Sequence, residues 1–213
     1  MALLTPPKVV HYTYRAILCP LMAPSISPIH VIIWSSGICF QLANAISIGG
    51  WLAGYGPITR EDWGSYQSNR APMRIGIGLI IWTVGFLLNI FHDGELREIR
   101  QAAARNQRRR AAEAEASTKK GKSANGDINV NKVYLVPQNG MFKWILYPHY
   151  LFEWLEWTGF WIIGGAAFSP GRCFLLNEIA TMLPRAIKGK EWYIERFGEE
   201  KIGTRKAIIP GIL

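Results

Sequence analysis

Between Arg15 and Arg60 the 213-residue sequence has no Asp, Glu, Lys or Arg, and it has none between Arg74 and Asp93. Charge-free runs of that length exclude a disordered chain and point to a lipid bilayer rather than a water-facing surface. Cysteine is scarce: Cys19, Cys39 and Cys173 sit in or beside apolar segments without paired spacing, and read as buried thiols rather than a redox motif. Histidine is limited to His11, His30, His92 and His149, which is thin for a two-metal carboxylate site. No glycosylation acceptor is present, nor a Walker A loop or a G-x-S-x-G elbow. Gly76 and Gly78 lack the third glycine and preceding strand of a dinucleotide fingerprint, so any dinucleotide here must bind in a helical pocket. The start, MALLTPPKVVHYTYR, lacks the basic region and apolar run of a signal peptide. Met1 falls so close to the middle of an expected helix that upstream sequence is expected to be absent.

What is present is apolar and aromatic: 49% of residues are hydrophobic, 12% aromatic, with nine Trp. A span needs about 20 mostly apolar residues. Val31 to Leu52 and Ile75 to Phe91 qualify, the second opened by Arg74 and closed by Asp93. Phe142 to Phe168 reads as a third span and Cys173 to Pro184 as a shorter fourth, with the turn at Ser169, Pro170 and Gly171; the stretch before Pro24 reads as the end of another. The expected fold is therefore all-α, a polytopic membrane helix bundle of four to five transmembrane helices in one domain, residues 1–213.

The net charge of +9 is concentrated in two places. Ten of the 24 Lys and Arg lie between Arg97 and Lys132, and seven more between Arg185 and Lys206. Two expected spans separate these clusters, so both face the same side, as the positive-inside rule predicts for a cytosolic face. That placement accounts for the charge without nucleic acid. Residues 101–132 are Ala-, Lys- and Arg-rich, then Gly-, Asn- and Ser-rich: the first half extends a helix into water, and the second reads as a basic flexible cytosolic loop.

Polar groups inside membrane segments need partners or ligands, because burying them is costly. Asn89, Asp93, Arg97 and Arg100 recur at spacings of four, four and three, which places them on one helix face. An amide, a carboxylate and two guanidiniums could hold ribose hydroxyls and phosphates. The same spacing also fits an ordinary polar helix end with Asp–Arg pairing along the helix. His149, Glu153 and Glu156, in PHYLFEWLEW, share a second face. They fit a metal site, hydrogen bonds to a cofactor's amide or sugar, or carboxylates satisfied by Arg or Trp N–H groups of neighbouring helices.

Four motifs in order, NIFHDGELREIR, YLVPQNGMFKW, PHYLFEWLEW and the terminal EWYIERFGEEKIGTRKAIIPGIL, resemble the C-terminal region of the steroid 5α-reductase family, the 3-oxo-5α-steroid 4-dehydrogenases. The region is shared with enoyl-CoA and polyprenal reductases, and the resemblance runs from about His11 to Leu213 with one break. It implies a seven-helix membrane bundle enclosing NADPH, which reduces the C=C bond of an α,β-unsaturated carbonyl lipid. By resemblance Asn89, Asp93, Arg97 and Arg100 line the cofactor cavity, with Tyr134, His149, Glu153, Arg185 and Tyr193. Asn44, in LANA, falls where the family has an Asn, and Arg15 stands near the cofactor phosphates. Tyr12, in HYTYR, resembles the acid that donates to the substrate carbonyl; a family Glu that pairs with it belongs to an earlier helix.

The expected function is thus NADPH-dependent reduction of a lipid enone resembling a 3-oxo-Δ4-steroid, in the endoplasmic reticulum with basic loops in the cytosol. Alternatives are trans-2-enoyl-CoA or polyprenal reduction, or an inactive truncated membrane fragment. No metal is expected. The sequence departs from the family where a His-rich stretch is replaced by KGKE, residues 188–191, and where His149 replaces the Asn of the human-type enzymes.

Overall fold

Pro6 and Pro7 open the first helix, where a missing N–H breaks no hydrogen bond. In the computed structural model, which describes residues 4–23, 29–56, 59, 61–62, 71–117, 134–166 and 168–213, this helix is α1, Thr5–Tyr12. It widens into a π-helical turn, Thr13–Leu18, and closes as α2, Cys19–Met22. The helical stretch expected before Pro24 is therefore present. Then come α3 (Val31–Gly50, continued by a π-helical turn Trp51–Tyr55), α4 (Ala71–Ser117), α5 (Pro148–Gly164), α6 (Ser169–Phe197) and the single turn α7 (Glu199–Ile202). Among the described residues there is no strand, only an isolated bridge between Ile145 and Lys206. The protein is an all-α membrane helix bundle.

The 25 residues Val31–Tyr55 and the 43 residues Ala71–Glu113 are long and apolar enough to cross a bilayer. On α3 the apolar residues point outward: Ile32, Ile33 and Ile46 are 66, 67 and 73% exposed, whereas Asn44 and Ile48 are buried. An outward apolar surface with a polar residue inside is what lipid, not water, stabilises. Cys39 and Cys173 share this outward placement, so they are exposed rather than the buried thiols expected from sequence.

The second span continues past Asp93 as one helix to Ser117, about 70 Å long, in line with the helix expected over the first half of residues 101–132; residues 118–133 lie outside the described residues. Three boundaries differ from the sequence expectation. The third span begins at Pro148, not Phe142. Residues Gly140–Lys143 form a 3-10 turn, and Leu146 and Tyr147 give their N–H groups to the carbonyls of Lys206 and Ala207, each at 2.9 Å. Those donors are committed to the C-terminal tail, so they cannot join a helix. The turn after α5 is made by Gly165, at φ 87°, while Ser169 and Pro170 open α6. Pro184 does not end α6: it lies inside the helix, whose continuation is held where Tyr147 packs on the bare backbone of Gly189 and where Tyr193, Ile194 and Phe197 cover Val136, Leu146 and Ile202.

Contacts between α4 and α5 dominate the bundle, and glycine makes them close. A Cβ on Gly85 would lie 2.5 Å from the Glu156 nitrogen and 2.7 Å from its Cα. One on Gly78 would lie 2.9 Å from the Gly159 oxygen, and one on Gly159 would overlap the Trp82 backbone. Small residues at such crossings let two backbones touch, the usual device for packing helices in lipid. The pairing order, Gly78 with Ile163 and Gly85 with Phe152, makes the two helices antiparallel. At the far end Arg74 Nη1 donates to the carbonyls of Ile162 and Ile163, at 2.6 and 2.5 Å, and caps the C-terminus of α5. Gly85→Ala should therefore destabilise the detergent-solubilised protein by about 1–3 kcal/mol through overpacking. Gly76→Ala, where nothing lies within 4 Å, should leave thermal unfolding followed by Trp fluorescence unchanged.

Candidate functional site

Two carboxylates on the aromatic helix α5 define the site. Glu156 is fully buried and Glu153 is 5% exposed, and a bare carboxylate so placed would be strongly unfavourable. α1 and its π-helical turn supply the partners. His11 Nδ1 donates to Glu156 Oε1 at 2.7 Å, with Nε2 3.9 Å from Glu153 Oε1. Arg15, one turn on, donates through Nη2 to Glu153 Oε2 and through Nη1 to Asp93 Oδ2. One guanidinium thus ties α4 to α5, the forked geometry for which Arg suits paired carboxylates.

Of the three readings open for His149, Glu153 and Glu156, the geometry gives Glu153 an Arg partner from a neighbouring helix, whereas Glu156 is met through one oxygen by His11, and its Oε2 is buried without a partner. Among the described residues no group of three His, Cys, Asp or Glu is arranged to hold a metal ion. Asp93 pairs across the bundle with Arg15 rather than along α4 with Arg97. Arg97 instead donates from Nη1 to the Tyr14 hydroxyl at 3.4 Å. Arg15 is held between two carboxylates rather than left open for phosphate.

The other expected residues fall into three places. Asn89, 3% exposed, and His149, 8% exposed, carry buried polar atoms without partners, Oδ1 and Nδ1 respectively. His149 lies within electrostatic reach of Asp93, Arg15 and Arg100, so these residues form one cluster, with Arg100 exposed at its edge. Tyr193 and Tyr134 belong to an aromatic patch on the same end: Tyr134 meets Trp192 at 5.1 Å, Arg196 lies 5.6 Å over both rings, and Tyr193 faces Tyr147 at 6.4 Å. Arg185 is exposed on α6 within electrostatic reach of Tyr147 and Tyr150.

Tyr12 stands apart from this end of the bundle. Its hydroxyl donates to Gln41 Oε1 of α3 at 3.2 Å, and its ring lies 6.3 Å from Trp157. Asn44 is buried on α3 one turn after Phe40, which stacks on Phe174 of α6 at 6.0 Å. Sequence reasoning missed His11, Tyr14 and Gln41. The signals for them were available: His11 and Arg15 are four apart, and Gln41 is the polar residue three before Asn44 in a charge-free helix.

Residues 126–213 match the family model described as 3-oxo-5-alpha-steroid 4-dehydrogenase. A steroid 5-alpha-reductase of Solanum lycopersicum is 30% identical over 213 residues, covering 98% of this chain and 68% of the relative. The chain belongs to the steroid 5-alpha-reductase family. It is also similar to an uncharacterized protein of Schizosaccharomyces pombe, 34% identical over 96% of this chain and 65% of the relative. The 3-oxo-5-alpha-steroid 4-dehydrogenase 1 of Homo sapiens is 27% identical over 94% and 63% respectively. This family member therefore spans about two-thirds of the length of the curated relatives it matches.

Arg15→Met should strip both Asp93 and Glu153 of their cation and lower stability by about 3 kcal/mol, the cost of leaving buried carboxylates unpaired. Adding Asp93→Asn and Glu153→Gln to that variant should recover most of the loss in thermal unfolding. A triple variant no more stable than Arg15→Met would mean that the guanidinium stabilises through packing and not through charge.

Proposed function

We propose that this protein reduces the C=C bond of an α,β-unsaturated carbonyl lipid, a 3-oxo-Δ4-steroid-like enone, with NADPH as the reductant. The observation that carries the reading is the polar end of the bundle, where Asn89 Oδ1 and His149 Nδ1 are buried without partners and an unpaired, exposed Arg100 lies within electrostatic reach of His149. Orphaned buried polar atoms in a membrane helix are costly unless a ligand meets them. NADPH fits that donor set: a carboxamide and ribose hydroxyls can meet Asn89 and His149, and phosphates can meet Arg97 and Arg100.

In this reading Asp93, Glu153 and Arg15 form the charged wall that holds the two faces in register. Tyr134, Arg185 and Tyr193 border the same end, and Asn44 lines the inner face of α3. NADPH, when bound, supplies the hydride for the β-carbon and leaves as NADP+, while a proton from solvent completes the α-carbon. Tyr12 turns its hydroxyl from Gln41 to the substrate carbonyl and stabilises the enolate oxygen as hydride arrives. The names of the relatives, steroid 5-alpha-reductase and 3-oxo-5-alpha-steroid 4-dehydrogenase, support the steroid enone as substrate class.

Residues 101–132 are then a lengthened basic cytosolic loop on a single domain, whose first half carries α4 into water. Membership of a family of lipid-reducing membrane enzymes fits the endoplasmic reticulum, with the basic clusters facing cytosolic NADPH.

Fluorescence titration of the detergent-purified protein should show saturable NADPH binding tighter than NADH. Arg100→Ala should weaken it by about tenfold or more, the worth of a charge-assisted hydrogen bond. Tyr12→Phe should bind NADPH normally but slow enone reduction by about 100-fold, as loss of one oxyanion donor does. A panel of enone steroid, enoyl-CoA and polyprenal substrates reads the specificity. Equal binding of NADPH by the wild type and Arg100→Ala would remove Arg100 from the site.

A further inference from the structure

Gly189 leaves a gap in α6 that a residue from another part of the chain fills. It belongs to KGKE, residues 188–191, the stretch that departs from the family. A Cβ at this position would overlap the hydroxyl of Tyr147, whose ring lies on the bare backbone there. Tyr147 stands just before α5, and its backbone N–H is held by the Ala207 carbonyl at 2.9 Å, so the rest of the fold, not α6, delivers the ring to Gly189. Packing alone does not account for its hydroxyl. Among the described residues the hydroxyls of Tyr147, Tyr150 and Tyr193 have no hydrogen-bond partner, and all three side chains are half-buried.

What surrounds that hydroxyl follows from helix spacing. Arg185, Gly189 and Tyr193 are four apart, so they lie along one face of α6, each about 6 Å from the next along the axis. Arg185 and Tyr193 carry long side chains on either side of a residue with none, and the Tyr147 hydroxyl occupies the middle of the row. The rings of Tyr147 and Tyr193 meet edge-on at 6.4 Å, and those of Tyr147 and Tyr150 stack at 5.3 Å. His149, whose Nδ1 is buried without a partner, lies 5.7 Å from Tyr147, so the row borders the polar end of the bundle. Arg185 is exposed and has no ion pair among the described residues, and Lys188 and Lys190 add positive charge to the same turns.

We propose that Tyr147 is a specificity-determining residue for the cofactor: its hydroxyl, with the Arg185 guanidinium and the Tyr193 hydroxyl, binds the 2′-phosphate that distinguishes NADPH from NADH. This rests on the NADPH reading above and adds to it the residue that selects between the two dinucleotides. A phosphomonoester carries close to two negative charges and three strong acceptor oxygens. The guanidinium meets two of them as a fork, and each phenol gives one O–H. No carboxylate stands with Arg185, Gly189 and Tyr193 in their row, so the row attracts an anion and sets no like charge against it. Arg97 and Arg100 remain for the phosphates that both dinucleotides share. NADH presents a hydroxyl where the phosphate would be, and leaves the exposed Arg185 in water at little cost.

Fluorescence titration of the detergent-purified protein with NADPH and with NADH tests the assignment. Tyr147→Phe keeps the ring on Gly189 and removes only the hydroxyl; it should weaken NADPH binding by about tenfold, the worth of a hydrogen bond to a charged group, and leave NADH binding unchanged. Gly189→Ala, which pushes the ring aside, should act in the same direction. Adenosine 2′,5′-bisphosphate should compete with NADPH for the wild type better than adenosine 5′-monophosphate does, by a margin that Tyr147→Phe reduces. Wild-type affinity for NADPH in a folded Tyr147→Phe protein would overturn the proposal. So would an equal loss for NADPH and NADH, which would put the hydroxyl on a group common to both. If Tyr147→Phe does not fold, Arg185→Ala, at an exposed position, must show the loss for NADPH alone, and an unchanged preference there overturns the subsite. A wild type that binds NADPH no more tightly than NADH removes the subsite and leaves dinucleotide binding intact, whereas binding of neither overturns the cofactor reading and this inference with it.

Discussion

Glu153 and Glu156 cannot sit on a buried aromatic helix unless hydrogen-bonding or charged partners meet them, and the architecture follows from that requirement. α5 carries both carboxylates into the interior, where an unpaired charge costs several kcal/mol. α1 and its π-helical turn run beside α4 so that His11 and Arg15 arrive opposite them. Because Arg15 also holds Asp93, the same residue that neutralises α5 fixes the height of α4 against it. Satisfying the charges and setting the register are a single event.

Glycine makes that register attainable. Gly85 admits the backbone of Glu156 at a distance no side chain would allow, which places Glu156 and, one turn away, Glu153 against the α4 surface. Asp93 lies eight residues beyond Gly85, about 12 Å along α4, within the span that a long Arg side chain can bridge. With larger residues at Gly78, Gly85 and Gly159 the helices would separate, and Arg15 could no longer reach both carboxylates. The seam of small residues and the buried ion pairs are therefore coupled, and substitutions in the two should not be additive.

Much of this was legible in the sequence because it is written in periodicity and absence. The charge-free runs located α3 and α4, and i, i+4 spacing put Asn89, Asp93, Arg97 and Arg100 on one face. What was not legible depends on partners far away in the chain. Nothing local tells that Leu146 and Tyr147 will give their N–H groups to Lys206 and Ala207, so the apolar run from Phe142 reads as helix. Nothing local tells that Asp93 will choose Arg15, 78 residues earlier, over Arg97 one turn away. Pro184 reads as a stop because proline removes a hydrogen bond, but packing of the following turns on Tyr147, Val136 and Leu146 outweighs that loss.

The π-helical turn at Thr13–Leu18 has no signal in composition, yet it divides the interior into two working regions. An α-helix would hold Tyr12 and Arg15 near one another as an i, i+3 pair. The i to i+5 bonding of a π turn widens the helix from Thr13 to Leu18. Tyr12 faces α3, where Gln41 accepts its hydroxyl, while Arg15 faces α4 and α5. One helix thereby serves a neutral hydrogen-bonding pocket on one side and a charged wall on the other. The proposed reduction would use those two environments side by side, an apolar one for a carbonyl and a charged one for phosphates and ribose.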